Sequence, residues 1–262
     1  MVATEAAAAE AGTAVVVVGL TAADETEAID RSTLTLPGRQ DGLVRRVAAA
    51  ATRTVVVVNA ATPVLMPWLA DVDAVLIAGL PGQEAGDAIL DVLVGERRPT
   101  GRLVTSYPTG TEPRRPGTSP RRPRAQLRRG GLRRLSRVRR RTRAGARFWF
   151  GHGLGDGTWR YDGVDLLDAG AVQVPLSNVG ERTSRETVQV YFRPDDTAQP
   201  VRLGGYAGIE LAAGAAGVVD VAIDPRLGQR WSPDEQAWVP LGAGDLLIAR
   251  GLGDVRLRVR ST

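Results

Sequence analysis

Three short apolar runs limit what this chain can fold into: Val15–Leu20 (VVVVGL), Thr54–Asn59 (TVVVVN) and Ala74–Ala78 (AVLIA). None alternates apolar with polar residues, so none reads as a strand with one wet face. Near-continuous runs of this kind are expected of parallel strands covered on both sides. Helical patterns lie between and after them. Gly38–Thr52 carries Leu43, Val44, Val47 and Ala51 near helical spacing, with Pro37 just before it. Glu84–Val94 repeats the pattern with Ala85, Ala88, Ile89, Val92 and Leu93. Pro63–Leu69 reads as a short helix or turn, and Gly101–Ser106 as a further extended piece. Strands and helices in alternation predict an α/β sandwich, a mostly parallel sheet with helices on both faces.

From Phe148 the pattern changes. The runs VQVPLSN, ETVQVYFRP, GVVDVAID, DLLIARG and VRLRVR follow a period of two, and Gly, Pro, Asn and Asp punctuate them at short intervals. That is the pattern of an all-β sandwich. The organisation expected is a helical or disordered lead-in over 1–13, the α/β sandwich over 14–109, an Arg-rich irregular connector over 110–147, and the β-sandwich over 148–262.

Composition excludes several chemistries. There is no Cys, hence no disulfide, thiolate metal site or Cys nucleophile. The single His, His152, makes a His-based metal cluster or a Ser-His-Asp triad difficult, and the Asp residues beyond 190 lack the spacing of a Ca²⁺ loop. Neither a P-loop nor a G-x-S-x-G is present. No cofactor and no metal are expected. No apolar run is long enough to span a bilayer, and MVATEAAAAEAG lacks the basic and apolar regions of a signal peptide. A soluble, cytoplasmic chain is expected, with no membrane partner.

The net charge of +5 comes from one window. All 34 basic residues are Arg, and fifteen of them lie between Arg114 and Arg147, where there is no Asp or Glu. Without that window, 19 arginines face 29 acids, a net charge of −10. Three readings of the window stand side by side: a basic linker, an arm for nucleic acid, or a stretch translated out of frame. No aromatic residue precedes Phe148 in the window to stack on bases, and nucleic acid is not expected as a partner.

The stretch Val15–Gly42 carries the candidate chemistry. A buried strand delivers the acidic loop DETEAIDR, which opens into TLPGRQDG at the start of a helix. Open α/β sheets place ligands at the carboxyl ends of their strands. The text ETEAIDRSTLTLPGRQDGLV, then NAATPVLMPW, then AVLIAGLPGQEAGDAILDVLVGERRPTGRL resembles the C-terminal α/β sandwich domain of glycoside hydrolase family 3, the β-glucosidase-like enzymes. That domain reads E-x-E-G-x-D-R, L-P-x-x-Q, P-V-x-M-P-W and P-G-Q-E-x-G in the same order. Departures are Ala28 for a Gly, Gly79 and Leu80 for an aromatic pair, and Val104 for the Pro of a closing G-R-L-P. FWFGHGLGDGTWRY resembles the family's F-G-H-G-L junction, and VPLSNVGERTSRETVQVYFRP the opening of its fibronectin-III-like domain, an immunoglobulin-type sandwich.

The resemblance also bears on the arginine window. The residues GGLRRLSRVRR, with permitted codons and read from the second nucleotide, give EGFVGYRGYD, similar to a family segment E-G-x-F-V-G-Y-R-x-Y-D at this place. On that reading roughly Thr111–Ala146 is translated out of frame, with the frame restored before Phe148.

Membership would imply hydrolysis of terminal β-glycosides with retention. Retaining enzymes set two carboxyl groups about 5–5.5 Å apart, one as nucleophile and one as acid/base. The resemblance implies that the nucleophile is an Asp on an N-terminal barrel and that the acid/base comes from the loop, here Glu25 or Glu27. Glu25 is favoured as the head of the E-x-E motif, nearest the strand end. No barrel precedes Met1, so the chain is expected to be a C-terminal fragment of such an enzyme, inactive alone, with β-glycoside or oligosaccharide as the substrate and a separately encoded barrel as a candidate partner. The alternative is a non-catalytic accessory or carbohydrate-binding protein paired with such a barrel. Asp30 and Arg31 are expected to pair and pin the loop, and Trp149 is a candidate for stacking on sugar. Gln83 and Glu84 are read as opening a helix, and His152 as structural.

Overall fold

A computed structural model describes residues 2–27, 31–110, 146–155, 157–167 and 170–261. The chain divides into two compact units, one of residues 1–97 and 107–122, the other of 98–106 and 123–262. Apart from its first residue and its last two, the connector 110–147 lies outside the described residues, and so does Asp30.

The first unit begins with α1 (Val2–Ala11), β1 (Thr13–Gly19), α2 (Gln40–Ala50) and β2 (Arg53–Asn59). A 3₁₀ turn at Leu69–Asp71, β3 (Ala74–Ile77) and α3 (Ala85–Leu93) follow. The sheet has the order β1-β2-β3 and is parallel throughout. Register sets Val16 beside Val56 and Val56 beside Val75, then Val18 beside Val58 and Val58 beside Ile77. These side chains share one face. They pack with Val44 and Val47 of α2 and Ala8 of α1, all buried. Each fully buried Val stabilises by roughly 1.5 kcal/mol or more. The lead-in is thus a helix that enters the core, tied to α2 by an ion pair between Glu5 and Arg46.

The parallel sheet agrees with the sequence expectation, and the helices that enter its core lie on one face. α3 forms where the periodicity placed a helix, yet none of its residues is buried. On the other face Val57 is fully buried, whereas Val15 and Val17 at the β1 edge are 48% and 64% exposed.

The second unit is the expected β-sandwich. Its strands are β4 (Trp159–Tyr161), β5 (Asp165–Leu167), β6 (Ala171–Asn178), β7 (Ser184–Pro194), β8 (Arg202–Leu211) and β9 (Ala216–Ala222). β10 (Gln229–Ser232), β11 (Ala237–Pro240), β12 (Gly244–Gly251) and β13 (Asp254–Ser261) complete it. One sheet runs β8-β7-β12-β13, the other β9-β6-β4 with β5 beside β6. Between them Val172, Val174, Leu176, Val188, Val190 and Ile248 form a core with no exposed surface. Asn178, fully buried at the end of β6, donates to the carbonyls of Arg182, Leu211 and Ala212 and accepts from the Gly180 amide.

β7 is buried on both faces. Gln189 and Tyr191 point away from the core and lie under the F-W-F-G-H-G turn, where Trp149 and Phe150 pack with Tyr191, Leu247 and Leu252. Gln189 donates to the carbonyls of Gly151 and Arg250 and accepts from the Tyr191 hydroxyl. Gly151 has φ +81°, and a Cβ there would stand 2.0 Å from the Gln189 side-chain oxygen. Only glycine suits both conditions.

Candidate active site

β1 ends at Gly19, and the acidic loop begins with a self-closing turn. The Thr21 amide and hydroxyl both donate to Asp24 Oδ2, at 2.9 and 2.7 Å, and the Asp24 amide donates back to the Thr21 carbonyl at 2.9 Å. These bonds, backbone first, hold the Asp24 carboxyl below its usual range, and the charge of Arg31 adds to them.

The turn places Glu25 against the loop that follows β2. The amides of Ala61 and Thr62 donate to its carboxylate at 3.2 and 3.0 Å, and the Thr62 hydroxyl does so at 3.0 Å. That hydroxyl also accepts from Arg31 Nη1 at 3.0 Å, while Arg31 Nη2 donates to the Thr35 carbonyl at 3.1 Å. Glu25, Thr62 and Arg31 therefore form one network joining the ends of two adjacent strands. Both oxygens of Glu25 are engaged within the chain. Burial, then the charge of Glu25, pushes the Tyr107 hydroxyl up.

Glu27, two residues further on, is exposed. Beside the loop, Asp24, Arg31, Ser32, Thr33 and Thr35 line an open recess of about 250 Å³. The first unit thus brings Glu25, Glu27 and Arg31 onto one loop system, and Asp30 lies outside the described residues. Trp149 belongs to the second unit, half-buried with one side of its ring against Gly253.

Two residues that sequence reasoning did not single out hold the loop's exit. Gln40, the Q of L-P-x-x-Q, accepts from the Gly19 amide at 2.7 Å and returns a bond to the Gly19 carbonyl at 2.9 Å. Its amide satisfies the end of β1 as a neighbouring strand would. Asp41 accepts from the indole N–H of Trp68, which is fully buried, at 2.8 Å. The signal was in the text: a polar pair at the first turn of a helix directly after a strand-end loop. Glu84 is the N-cap residue of α3 but makes no side-chain capping bond. His152 stacks on Phe148 at 4.9 Å, and its backbone closes a turn with Trp149. Among the described residues, no three His, Asp or Glu side chains gather as a metal site, and no helix is long and apolar enough to cross a membrane.

Comparison with known proteins fits this geometry. A model of the glycosyl hydrolase family 3 C-terminal domain matches residues 2–156. The chain belongs to glycosyl hydrolase family 3. A fibronectin type III-like domain matches residues 186–248. A probable β-glucosidase I of Aspergillus terreus is 34% identical over 250 residues, which cover 88% of this chain and 29% of that protein. Thermostable β-glucosidase B of Acetivibrio thermocellus is 32% identical, with 98% of this chain and 36% of the relative covered. The β-glucosidase DesR of Streptomyces venezuelae, solved with D-glucose, superposes with a TM-score of 0.87 at 32% identity, over 99% of this chain and 35% of DesR. The chain thus spans about a third of the length of these family members.

Proposed function

We propose that this chain supplies the acid/base loop of a retaining β-glycosidase acting on β-glucosides, with Glu27 as the proton carrier and Glu25 as its positioning residue. The observation that carries the reading is the division of labour between the two. Glu25 spends its carboxylate on three donors within the chain, while Glu27 is exposed on the same loop. The Thr62–Arg31 network holds the loop that presents it.

In the first step the Glu27 carboxylic acid gives its proton to the glycosidic oxygen as the bond to the anomeric carbon breaks. A carboxylate beyond the part of the family this chain spans attacks that carbon. In the second step the Glu27 carboxylate takes a proton from the water that releases the sugar. The chain by itself lacks the second carboxylate in this scheme and does not turn over substrate.

The test is hydrolysis of p-nitrophenyl-β-glucoside by the chain alone, and by the chain co-expressed with the part of DesR that it does not match. The pair hydrolyses and the chain alone does not. In the pair, Glu27→Ala lowers turnover by about 10²–10⁴-fold, and azide restores it while forming the β-glucosyl azide. Azide rescue of Glu25→Ala in place of Glu27→Ala would reverse the assignment.

A second reading, a non-catalytic carbohydrate-binding protein, draws on one feature. Trp231 and Trp238 face each other across the β10–β11 hairpin, 45% and 57% exposed, with ring centroids 5.9 Å apart. Retention of the chain on insoluble β-glucan, lost in Trp231→Ala and Trp238→Ala, would favour it.

A further inference from the structure

The F-W-F-G-H-G turn and the turn between β12 and β13 enclose a hollow of about 220 Å³ within the second unit. Main-chain bonds fix its walls. The Leu252 amide donates to the Phe150 carbonyl at 3.0 Å, and the Leu103 amide to the His152 carbonyl at 2.8 Å. Glycines let the two turns close on each other. A Cβ on Gly253 would stand 2.0 Å from the Trp149 ring, and one on Gly251 would stand 2.9 Å from the Gly151 carbonyl carbon. The hollow is therefore formed before any ligand arrives, as small-molecule sites usually are. One side of it is apolar and aromatic. Phe148 and His152 stack there, with Trp149 and Leu154 beside them.

The other side is cationic. Arg147 and Arg250 line the hollow with a single acid, Asp254. Asp254 is already held by Arg256 at 2.8 Å. Arg250 gives its Nε to Glu186 at 3.1 Å, and its two terminal nitrogens bond to no described residue. Arg147 is exposed and enters no ion pair among the described residues. With Arg102 and Arg256 close by, four guanidinium groups stand against the two carboxylates of Glu186 and Asp254. His152 registers the same excess. After burial, the charges of Arg102 and Arg250 lower its pKa, and the opposing pull of Asp254 is smaller. Free guanidinium nitrogens beside aromatic walls suit an anion with a flat, apolar body.

We propose that this hollow binds a carboxylate carried on a single six-membered ring, an aryl carboxylate or a uronic acid. The carboxylate takes the guanidinium of Arg147 and the terminal nitrogens of Arg250, and the ring lies against Phe148, Trp149 and Leu154. The hollow is smaller than the roughly 300–1,000 Å³ of sites for drug-sized ligands, which sets the limit at about one ring. A cation would meet the surplus of arginines, and a neutral sugar would leave their charge unanswered. The assignment does not depend on the roles of Glu25 and Glu27.

The chain has one histidine, so a single imidazole signal in NMR reports on the hollow. The full chain is titrated with sodium benzoate and with sodium glucuronate at fixed ionic strength and pH. At least one of the two moves the His152 signal saturably, with a Kd of roughly 1 mM. Benzoate alone identifies an aryl carboxylate, glucuronate alone a uronic acid, and both together the shared carboxylate on a ring. Arg147→Gln, at an exposed position, weakens binding about tenfold. Leu154→Glu, at a position 72% exposed, weakens it at least as much by repulsion. Arg182→Gln, an exposed site elsewhere in the second unit, leaves it unchanged. The absence of a saturable shift with either anion overturns the site. Equal shifts from benzamide and glucose would remove the charge recognition, and an equal shift from inorganic phosphate would remove the ring wall; either overturns the proposal. Undiminished affinity in both Arg147→Gln and Leu154→Glu would place the ligand elsewhere.

Discussion

β1 and β7 carry similar valine-rich text and meet different fates. In β7, Val188 and Val190 face the sandwich core, and Gln189 and Tyr191 on the other face are also buried. The chain covers both sides itself: the second sheet on one, the F-W-F-G-H-G turn on the other. In β1, Val16 and Val18 are buried while Val15 and Val17 are exposed. Residue type does not decide which valine is covered; the supply of neighbours does. The second unit closes over its longest strand, whereas the first leaves Val15 and Val17 exposed on β1.

The comparison breaks most readily in the second unit. Glu186 on β7 has no exposed surface and meets Arg250 at 3.1 Å, Arg102 at 3.7 Å and the Tyr161 hydroxyl at 3.2 Å. Its other oxygen, Oε2, has no hydrogen-bond partner among the described residues. Burial, then the Glu186 charge, drives the Tyr161 hydroxyl far up, so it stays protonated as a donor. Removing the carboxylate leaves two nearly buried guanidinium groups uncompensated. Glu186→Gln should cost about 3 kcal/mol, read as a lower denaturant midpoint for the second unit with the first unit unchanged. An equal loss in both units would show that they unfold as one. Val190→Ala, at a fully buried position, should cost about 2 kcal/mol in the same unfolding experiment, and Val17→Ala less than about 0.5 kcal/mol. Equal costs at the two valines would mean that β1 is covered after all.

Smaller losses are expected in the first unit. Glu25→Gln and Thr62→Val each remove part of one hydrogen-bond network, at about 1–1.5 kcal/mol apiece. They share a bond, so the double variant should cost less than the sum of the two. Strict additivity in urea denaturation would show that Glu25 and Thr62 act separately, and the loop would then lose its proposed support for Glu27.

Much of this was legible in the sequence, for identifiable reasons. Unbroken valine runs announce buried strands because few other environments tolerate them, and β1, β2 and β3 fall within a residue or two of the expected places. Periodicity located α2 and α3 but could not tell that no residue of α3 is fully buried, since amphipathic spacing reports a face and not its partner. The acidic loop was legible as a loop. The roles within it were not, because the donors to Glu25 come from Ala61 and Thr62, more than thirty residues away. Asp41 and Trp68 met the same limit: a polar tip and an indole find each other only in the fold. The arginine window is a matter for the coding DNA. A one-base shift across roughly 111–146 should read E-G-x-F-V-G-Y-R-x-Y-D, and a coding sequence in which no such shift yields that text would end the proposal.

The smallest effect separates the two units by pH. His152 is the only histidine, so no other side chain with an ordinary value near pH 6.5 sits in either unit. Burial lowers its pKa first, then the charges of Arg102 and Arg250, against a weaker opposing pull from Asp254. A base whose folded pKa lies below its unfolded value takes up protons more readily when unfolded. Its contribution is therefore complete above about pH 6.5 and is lost as pH falls through the folded value. The second unit should soften on going from pH 7 to pH 5.5 while the first unit, with no histidine, does not. The lowered carboxyls of Asp24, Asp162 and Asp245 enter only at more acid pH. His152→Phe keeps a ring to stack on Phe148 and should flatten the pH dependence of the second unit over that range. A slope that survives the substitution would place the acid-sensitive group elsewhere.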